Sequence, residues 1–400
     1  MQEVAETRVA RKAPSLRFSS FKDNWNEEKI GAGIDLVSGR HLLPDEYNNT
    51  GDGVAYFTGP SDLTNDIDHL TKWTKIVGNT GVKGDVLLTV KGSGVGTLLH
   101  LELDEAALGR QLMAIKSKRH STGFLFQRLL LLQPYFEALA SGNMIPGLSR
   151  PDILTTKVYF PTLPEQQKIA AFLGAVDWKI QHLKREQELL QRYKKGVVQK
   201  LFSQELRFKR KDGGEFPEWE EKMLGDGGDI ITGKTPLTAE ADLWGGDIQF
   251  ITPTDITEND KYQHTTQRYV QPHEKLKLLP ANSIVYTCIA SIGKLAMTMH
   301  PAITNQQINA VVPREGYSSE FIYYALLYLT PSIKATQANT TLPIINKTEF
   351  SKILIPIPSL EEQSRIAGFL MALDAKVAGV AQAVAAAQKW KKGLLQQMFV

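Results

Sequence analysis

The feature that most constrains this 400-residue chain is that it spells one helix twice. "LPEQQKIAAFLGAVD" runs from Leu163 to Asp177, and "LEEQSRIAGFLMALD" runs from Leu360 to Asp374, 197 positions later. The same shift carries Phe124, Leu129, Leu130, Leu132 and Pro134 onto Phe321, Leu326, Leu327, Leu329 and Pro331. It also pairs Pro146 with Pro343 and Pro161 with Pro358, and at the far end Lys194, Lys195, Gly196, Gln199 and Phe202 meet Lys391, Lys392, Gly393, Gln396 and Phe399. Nearer the start the shift becomes 194, where Trp25, Glu27, Gly31, Asp35 and Gly39 meet Trp219, Glu221, Gly225, Asp229 and Gly233. A period this long means two copies of one folding unit, and each copy closes with a long helix.

The closing helices carry their own start signals. Pro164 suits the first helical position and Glu165 the positive end of the helix dipole, while Lys194 and Lys195 sit near its negative end. In the first copy Ile169, Leu173, Val176, Ile180, Leu183, Gln187, Leu190, Lys194, Val197 and Leu201 alternate steps of four and three. The second copy repeats the stripe as Ile366, Leu370, Leu373, Val377, Val380, Val384, Ala387, Lys391, Leu394 and Met398. A stripe this narrow over five heptads wants another helix, as in a coiled coil. The alternative is a helix lying on its own globular core. If the two helices pair, chain order makes them antiparallel, because the second starts from the globular region that the first one leads into. Each would be a rod of about 38 residues, roughly 57 Å at 1.5 Å per residue. "SLRF" (Ser15 to Phe18) echoes "ELRF" (Glu205 to Phe208), which follows the first helix, so the start of the chain is expected beside its end.

Between these helices the chain mixes strand and helix. "DVLLTV" (Asp85 to Val90), "SIVYTCIA" (Ser283 to Ala290) and "KILIPIP" (Lys352 to Pro358) are short, β-branched and bounded by turn residues, as strands are. "FLFQRLLLLQPYFEALAS" and "FIYYALLYLTPSIKAT" read as one helix per copy, each with a proline inside. The expected fold class is α+β: two mixed α/β heads joined by two long antiparallel coiled-coil helices, an internal pseudo-two-fold repeat. The boundaries fall at 1–162, 163–205, 206–359 and 360–400. Residues 40–83 and 234–281 show little likeness, which suggests two heads that read two different things.

Several classes of chemistry find no support. The single cysteine, Cys288, allows no internal disulfide, fits a reducing compartment, and reads as a small buried residue rather than a nucleophile. "MQEVAETRVARKAPS" has no apolar core of a leader, and no unbroken run approaches 18 apolar residues, so a soluble cytoplasmic protein with no membrane partner is expected. The histidines are scattered without metal-ligand spacing. "GDIITGKT" (Gly228 to Thr235) satisfies the phosphate-loop pattern, but Asp229, Ile230, Ile231 and Thr232 look like a strand and Pro236 follows at once. The matching "GIDLVSGRHL" lacks the Lys-Thr pair. Net charge is only +3, yet residues 165–210 carry +6 and 362–400 carry +3, against zero for 1–164 and −6 for 211–361. Either a solvated helix face or a strip facing phosphates or an acidic partner explains that excess.

The doubled "P-x-x-Q-x-x-I-A-x-F-L-x-x-x-D", the "K-K-G-x-x-Q" helix ends and "FPEWEEKMLGD" at Phe216 resemble the DNA-specificity subunits of type I restriction–modification systems. "GDVLLTVKGSGVG" (Gly84 to Gly96) and "NQQINAVVP" (Asn305 to Pro313) are similar to that family's recognition domains. The resemblance covers essentially the whole chain. It implies two target-recognition domains on duplex DNA, spacer helices that bind two methyltransferase subunits, and restriction subunits in a full complex. It implies a chain that is not itself an enzyme and holds no cofactor, with S-adenosylmethionine, ATP and Mg belonging to partner subunits. The Ala-rich stretch "AGVAQAVAAAQ" (Ala378 to Gln388) departs from the pattern and bears on helix pairing or docking. Reading bases needs donors and acceptors on loops. The candidates are Arg40, His41, Asn48, Asn49, Lys91 and Ser93 in the first head, and Lys234, Thr235, Thr254, Ser291, Lys294 and Asn305 in the second. A structural coiled-coil scaffold and a nucleotide hydrolase are the rival readings.

Overall fold

The computed structural model describes residues 13–141, 146–237, 239–257, 260–337 and 343–400. Most of the opening stretch, Met1 to Ser15, therefore lies outside the described residues. The chain divides into two compact units, 1–185 with 381–400, and 186–380.

In the first unit a short ladder joins β1 (Asn26–Lys29) to β10 (Lys157–Phe160). One sheet has the order β2 (Ile34–Ser38), β9 (Leu112–Ser117), β6 (Val86–Thr89), β7 (Leu98–His100), all antiparallel. A second has the order β4 (Trp73–Thr74), β3 (Val54–Phe57), β8 (Glu105–Leu108), β5 (Thr80–Val82), with β3 and β8 parallel. Every residue of β6 is buried, which is why "DVLLTV" reads as a continuous apolar run rather than an alternating one. Helix α1 (Thr122–Ala140) starts at a Ser121 cap and buries Phe124, Leu125 and Leu129 in the core. Helix α2 (Arg150–Leu154) opens with a reciprocal Ser149–Asp152 cap.

The second unit repeats the frame. Strand β11 (Glu220–Met223) pairs with β20 (Leu354–Ile357), and the main sheet runs β12 (Gly228–Thr232), β19 (Ile308–Pro313), β16 (Ile284–Thr287), β17 (Leu295–Thr298), β14 (Tyr262–Gln263). The companion sheet runs β15 (Arg268–Val270), β13 (Trp244–Ile251), β18 (Ala302–Thr304), again with one parallel pair, β13 with β18. Short α4 (Leu224–Gly227), then α5 (Ser319–Gln337) and α6 (Lys347–Ser351) complete it. The segments that share little sequence thus place strands alike: β3 and β13 each pair in parallel with the strand just before the main sheet's return strand, β8 before β9 and β18 before β19. They differ in extent, since β3 has 4 residues and β13 has 8 with an irregularity between Trp244 and Ile248.

Two long helices, α3 (Leu163–Phe202) and α7 (Leu360–Met398), each contribute to both units. In the first unit Ile169, Leu173, Val176 and Ile180 share a core with Leu394, Met398 and Phe399. In the second Val197, Leu201 and Phe202 share one with Ile366 and Leu370. Leu183, Leu190, Leu373, Val377 and Val380 are only half-buried, while Val384 is buried.

Each unit locks its helix start with the same set of polar contacts. The Arg17 guanidinium grips the fully buried Glu165 carboxylate at 2.6 and 2.7 Å, and Arg207 grips Glu362 at 3.1 and 3.1 Å. Glu165 sits in the first turn of α3, as the dipole reading has it, and is buried as half of an ion pair with a residue 148 positions away. Gln166 and Gln363 each bridge a helix cap, accepting from Ser121 N and Ser318 N and donating to Pro161 O and Pro358 O. Gln127 and Lys391 hold Asp177, and Tyr324 and Lys194 hold Asp374. Leu16 N donates to Gln397 O at 2.9 Å, as the echo of "SLRF" and "ELRF" implied, and its counterpart Leu206 N donates to Lys200 O at 3.0 Å.

No unbroken run of 18 apolar residues exists, yet α7 is long and apolar enough by composition to cross a membrane, with a window of mean hydropathy 1.5. Alanines and valines raise the average around Asp374 and Lys376. Only 11% of that window is buried, so α7 presents a long face of small side chains.

Candidate nucleic-acid interface

Strand direction gathers loops at one end of each unit. In the first, Ser38 at the end of β2 and Thr89 at the end of β6 pair with Met113 and Leu112 at the start of β9. The ends of β3 and β8 meet there too, since Phe57 pairs with Leu108 and Arg40 N donates to Leu108 O at 2.8 Å. The loops after β2, β3, β6 and β8 therefore converge. They can only do so because glycines let backbones touch: a Cβ on Gly39 would sit 2.2 Å from Gly109 O, and one on Gly94 would sit 2.4 Å from Pro60. Arg40, His41, Lys91 and Ser93 are all exposed on this edge. Beside them His41, Tyr47, Thr58, Ser61, Arg110 and Gln111 line a depression of about 380 Å³.

The second unit builds the same edge. Gly233 N donates to Ile308 O, Lys234 N to Thr304 O and Asn305 N to Ile251 O, so the loops after β12, β13 and β18 meet. A Cβ on Gly233 would lie 2.2 Å from Thr304 Oγ1, the counterpart of the Gly39 contact. Lys294 Nζ reaches Pro253 O at 3.2 Å, which ties the loop between β16 and β17 to the same place. The loops that carry the six sequence candidates of this head are thus brought together, with Lys234, Thr235, Thr254, Ser291 and Lys294 on the edge and Asn305 buried beneath it.

Equivalent positions on the two edges carry different chemistry. Arg40 matches Lys234, both following the close-packed glycine, and Ser93 matches Ser291. His41 stands where the other unit has Thr235, and Arg110 where it has Gln306. Lys91 bridges to Gly147 as Ile289 bridges to Ile344. The exposed Arg110 and Gln306, with half-buried Gln111, were missed in the sequence. The signal was available in Gly109, because glycine at a strand end marks close backbone approach.

Three candidates serve the fold rather than the edge. Asn48 spends its amide on Asp52 O (2.7 Å) and Trp73 O (3.2 Å) and accepts from Thr50 N and Asp52 N, so it ties the turn that feeds the start of β3. That is the end of β3 opposite the convergence, and exposed Asn49 stays with it. Asn305 is buried and bonds Gln307 through both amide atoms. Asx turns of this kind look like free polar loops in a sequence. Lys234, Thr254 and Ser291 remain exposed, and Thr235 Oγ1 donates to Gln306 Oε1 at 2.6 Å. "GDIITGKT" is the strand β12 and its glycine turn, with Asp229 paired to Arg314 at 2.6 Å. Burial pushes the Cys288 thiol up to about 11, which keeps it an inert core residue.

Residues 22–192 and 217–383 match the family described as type I restriction modification DNA specificity domain. The chain belongs to that family. It is 34% identical over 182 residues to the type I restriction enzyme MjaIX specificity subunit of Methanocaldococcus jannaschii, an overlap of 43% of this chain and 42% of that subunit's length. It is 25% identical over 386 residues to the MjaVIII specificity subunit of the same organism, covering 88% of this chain and 86% of that one. The crystal structure of a type I restriction–modification S subunit from M. genitalium has the same fold, with a TM-score of 0.66 at 19% identity over 97% of this specificity chain and 99% of that one.

Proposed function

We propose that this specificity chain reads a bipartite duplex DNA site, one half with each unit, for a type I restriction–modification complex. The observation that carries the reading is the pair of equivalent loop edges whose side chains differ, Arg40, His41, Lys91 and Arg110 against Lys234, Thr235, Ile289 and Gln306. Cations beside hydrogen-bonding side chains suit a surface that grips phosphates and reads base edges.

In this reading α3 and α7 pair as an antiparallel coiled coil through Ile169, Leu173, Val176, Ile180, Leu183, Leu190, Val197 and Leu201 on one side. Ile366, Leu370, Leu373, Val377, Val380, Val384, Leu394 and Met398 supply the other. The repeat is pseudo-two-fold, and the helices set the gap between half-sites. They also carry docking faces for two methyltransferase subunits, supported by exposed Trp178 (59%) and Trp390 (55%) and by the +6 charge of residues 165–210. The chain itself catalyses nothing. S-adenosylmethionine, ATP and Mg are handled by partner subunits, including restriction subunits, in the cytoplasm.

The test is to map methylated adenines genome-wide in a host with and without this gene, and to assay the purified chain alone. Loss of one bipartite motif with the gene, and no methyl transfer by the isolated chain, support the reading. Methyl transfer by the isolated chain contradicts it.

A further inference from the structure

The second unit holds a cation that its counterpart in the first unit does not leave free. Arg268 pairs with Phe250 in the ladder of β15 and β13, and Lys72 O accepts from Tyr56 N at the same place beside β3. In the first unit Lys72 Nζ lies 3.1 Å from Thr58 Oγ1 and 3.4 Å from Asp62 Oδ2, so its charge is answered within the fold. Asp255 is the counterpart of Asp62: each carboxylate accepts from the backbone N–H of a threonine, Thr252 or Thr58, at 2.8 Å. The other oxygen of Asp255, however, accepts the backbone N–H of Gln267 at 2.9 Å.

Arg268 lies instead on an aromatic shelf, its guanidinium 5.0 Å from the Trp244 ring and 5.4 Å from the Phe250 ring. A built irregularity puts Trp244 there. The register shifts between Trp244 and Ile248, Gly245 takes φ +80°, and a Cβ on Gly246 would sit 2.3 Å from Val270 O. Bulges with glycine re-aim a side chain in this way. Trp244 Nε1 donates to Leu237 O at 3.2 Å, which holds the ring in place. Among the described residues the Arg268 side chain has no hydrogen-bond or ion-pair partner. Its five donors open onto a depression of about 570 Å³ lined also by Gln267 and Tyr269.

A guanidinium held over aromatic rings keeps its fork of donors free for a phosphate. Residues 211–361 carry a net −6, which repels small free anions. A polyanion already seated on the neighbouring edge, where Thr254 stands two residues beyond Thr252, is delivered to the shelf regardless of that field. We propose that Arg268 is a phosphate anchor: it grips a DNA-backbone phosphate flanking the half-site read by the second unit, with no equivalent in the first. This rests on the DNA-reading function proposed above.

The experiment uses the full chain co-purified with methyltransferase subunits and a duplex carrying the complex's methylated motif. Affinity is measured across a salt series for the unaltered complex, Arg268→Ala, Arg268→Lys and Trp244→Leu. Arg268→Ala should weaken binding roughly eightfold near 0.1 M salt and lower the slope of log affinity against log salt by about 0.9, the release of one counterion. Arg268→Lys should keep most of that slope, Trp244→Leu should lose part of the affinity, and the methylated motif should stay the same in all. Thermal melting of each variant checks that the fold survives. An unchanged affinity and slope in Arg268→Ala overturns the anchor, and so does a changed motif, which would make Arg268 a base reader. If the unaltered complex shows no sequence preference at all, it is the broader DNA-reading function that fails.

Discussion

The two units share their joints and differ at their edges. Arg17–Glu165 recurs as Arg207–Glu362, Gln166 as Gln363, and Asp177 with Lys391 as Asp374 with Lys194. The first two lie where a head meets its long helix, and the last joins α3 to α7 within each unit. At the loop ends the positions correspond, but His41, Lys91 and Arg110 face Thr235, Ile289 and Gln306. The residues repeated in both copies are therefore the ones that hold heads to helices, and those that vary face outward. A protein that must keep geometry while changing what it reads would divide its residues in this way.

The largest effect that could break this parallel concerns the buried ion pairs. Arg207→Ala strands a fully buried Glu362 carboxylate, which costs roughly 3–5 kcal/mol. Arg17→Ala should cost a similar amount through Glu165, because the geometry is the same. Urea unfolding of both variants checks this, and a loss confined to one would show that the joints are not equivalent.

A smaller difference separates the two buried tryptophans. Trp219 Nε1 donates to Glu362 Oε2 at 3.1 Å, whereas Trp25 Nε1 is buried with no partner among the described residues. Trp219→Phe should therefore destabilise by about 1–3 kcal/mol more than Trp25→Phe, since only the former removes a hydrogen bond to a charged group. Equal losses in denaturation would mean that the bond contributes nothing.

Much of the frame was legible, and the reason is duplication. Two copies separated by 197 residues reveal which residues belong to the frame without any structure, and the echo of "LRF" placed the start of the chain beside its end. What was not legible was set by contacts distant in sequence. Nothing local to residues 40–83 or 234–281 shows that β3 and β13 both run parallel beside β8 and β18, because strand pairing is decided by the neighbour. Asn48 and Asn305 looked like free readers because an Asx turn and an exposed polar loop have the same composition. Arg110 and Gln306 were overlooked because each sits on a short turn between strands, where only Gly109 hinted at convergence.

The smallest effect expected is in pH dependence. Burial holds His100 and His120 below their ordinary value of 6.5, against the pull of Asp85, Glu102 and Asp177 on His100 and of Glu28 on His120, which Arg119 opposes. The second unit has Met297 and Tyr317 at these positions. A histidine whose folded pKa is depressed binds fewer protons folded than unfolded below pH 6.5, so stability is full above that value and declines as pH falls through it towards the folded pKa. The first unit should therefore lose stability on acidification through a route the second lacks. Unfolding of the double variant His100→Met, His120→Tyr between pH 7.5 and 5.5 should show a flatter profile than the unaltered chain. An identical profile would remove this contrast between the units.

The claim that each unit reads its own half-site is tested most directly by exchange. Residues 216–350 are replaced by the corresponding block of a relative with a different motif, and the methylated sites of the resulting complex are mapped genome-wide. The account expects one half of the bipartite motif to change, the other half and the gap to stay as they were. A change in both halves, in a complex that still methylates, would contradict two independent readers on one repeated frame.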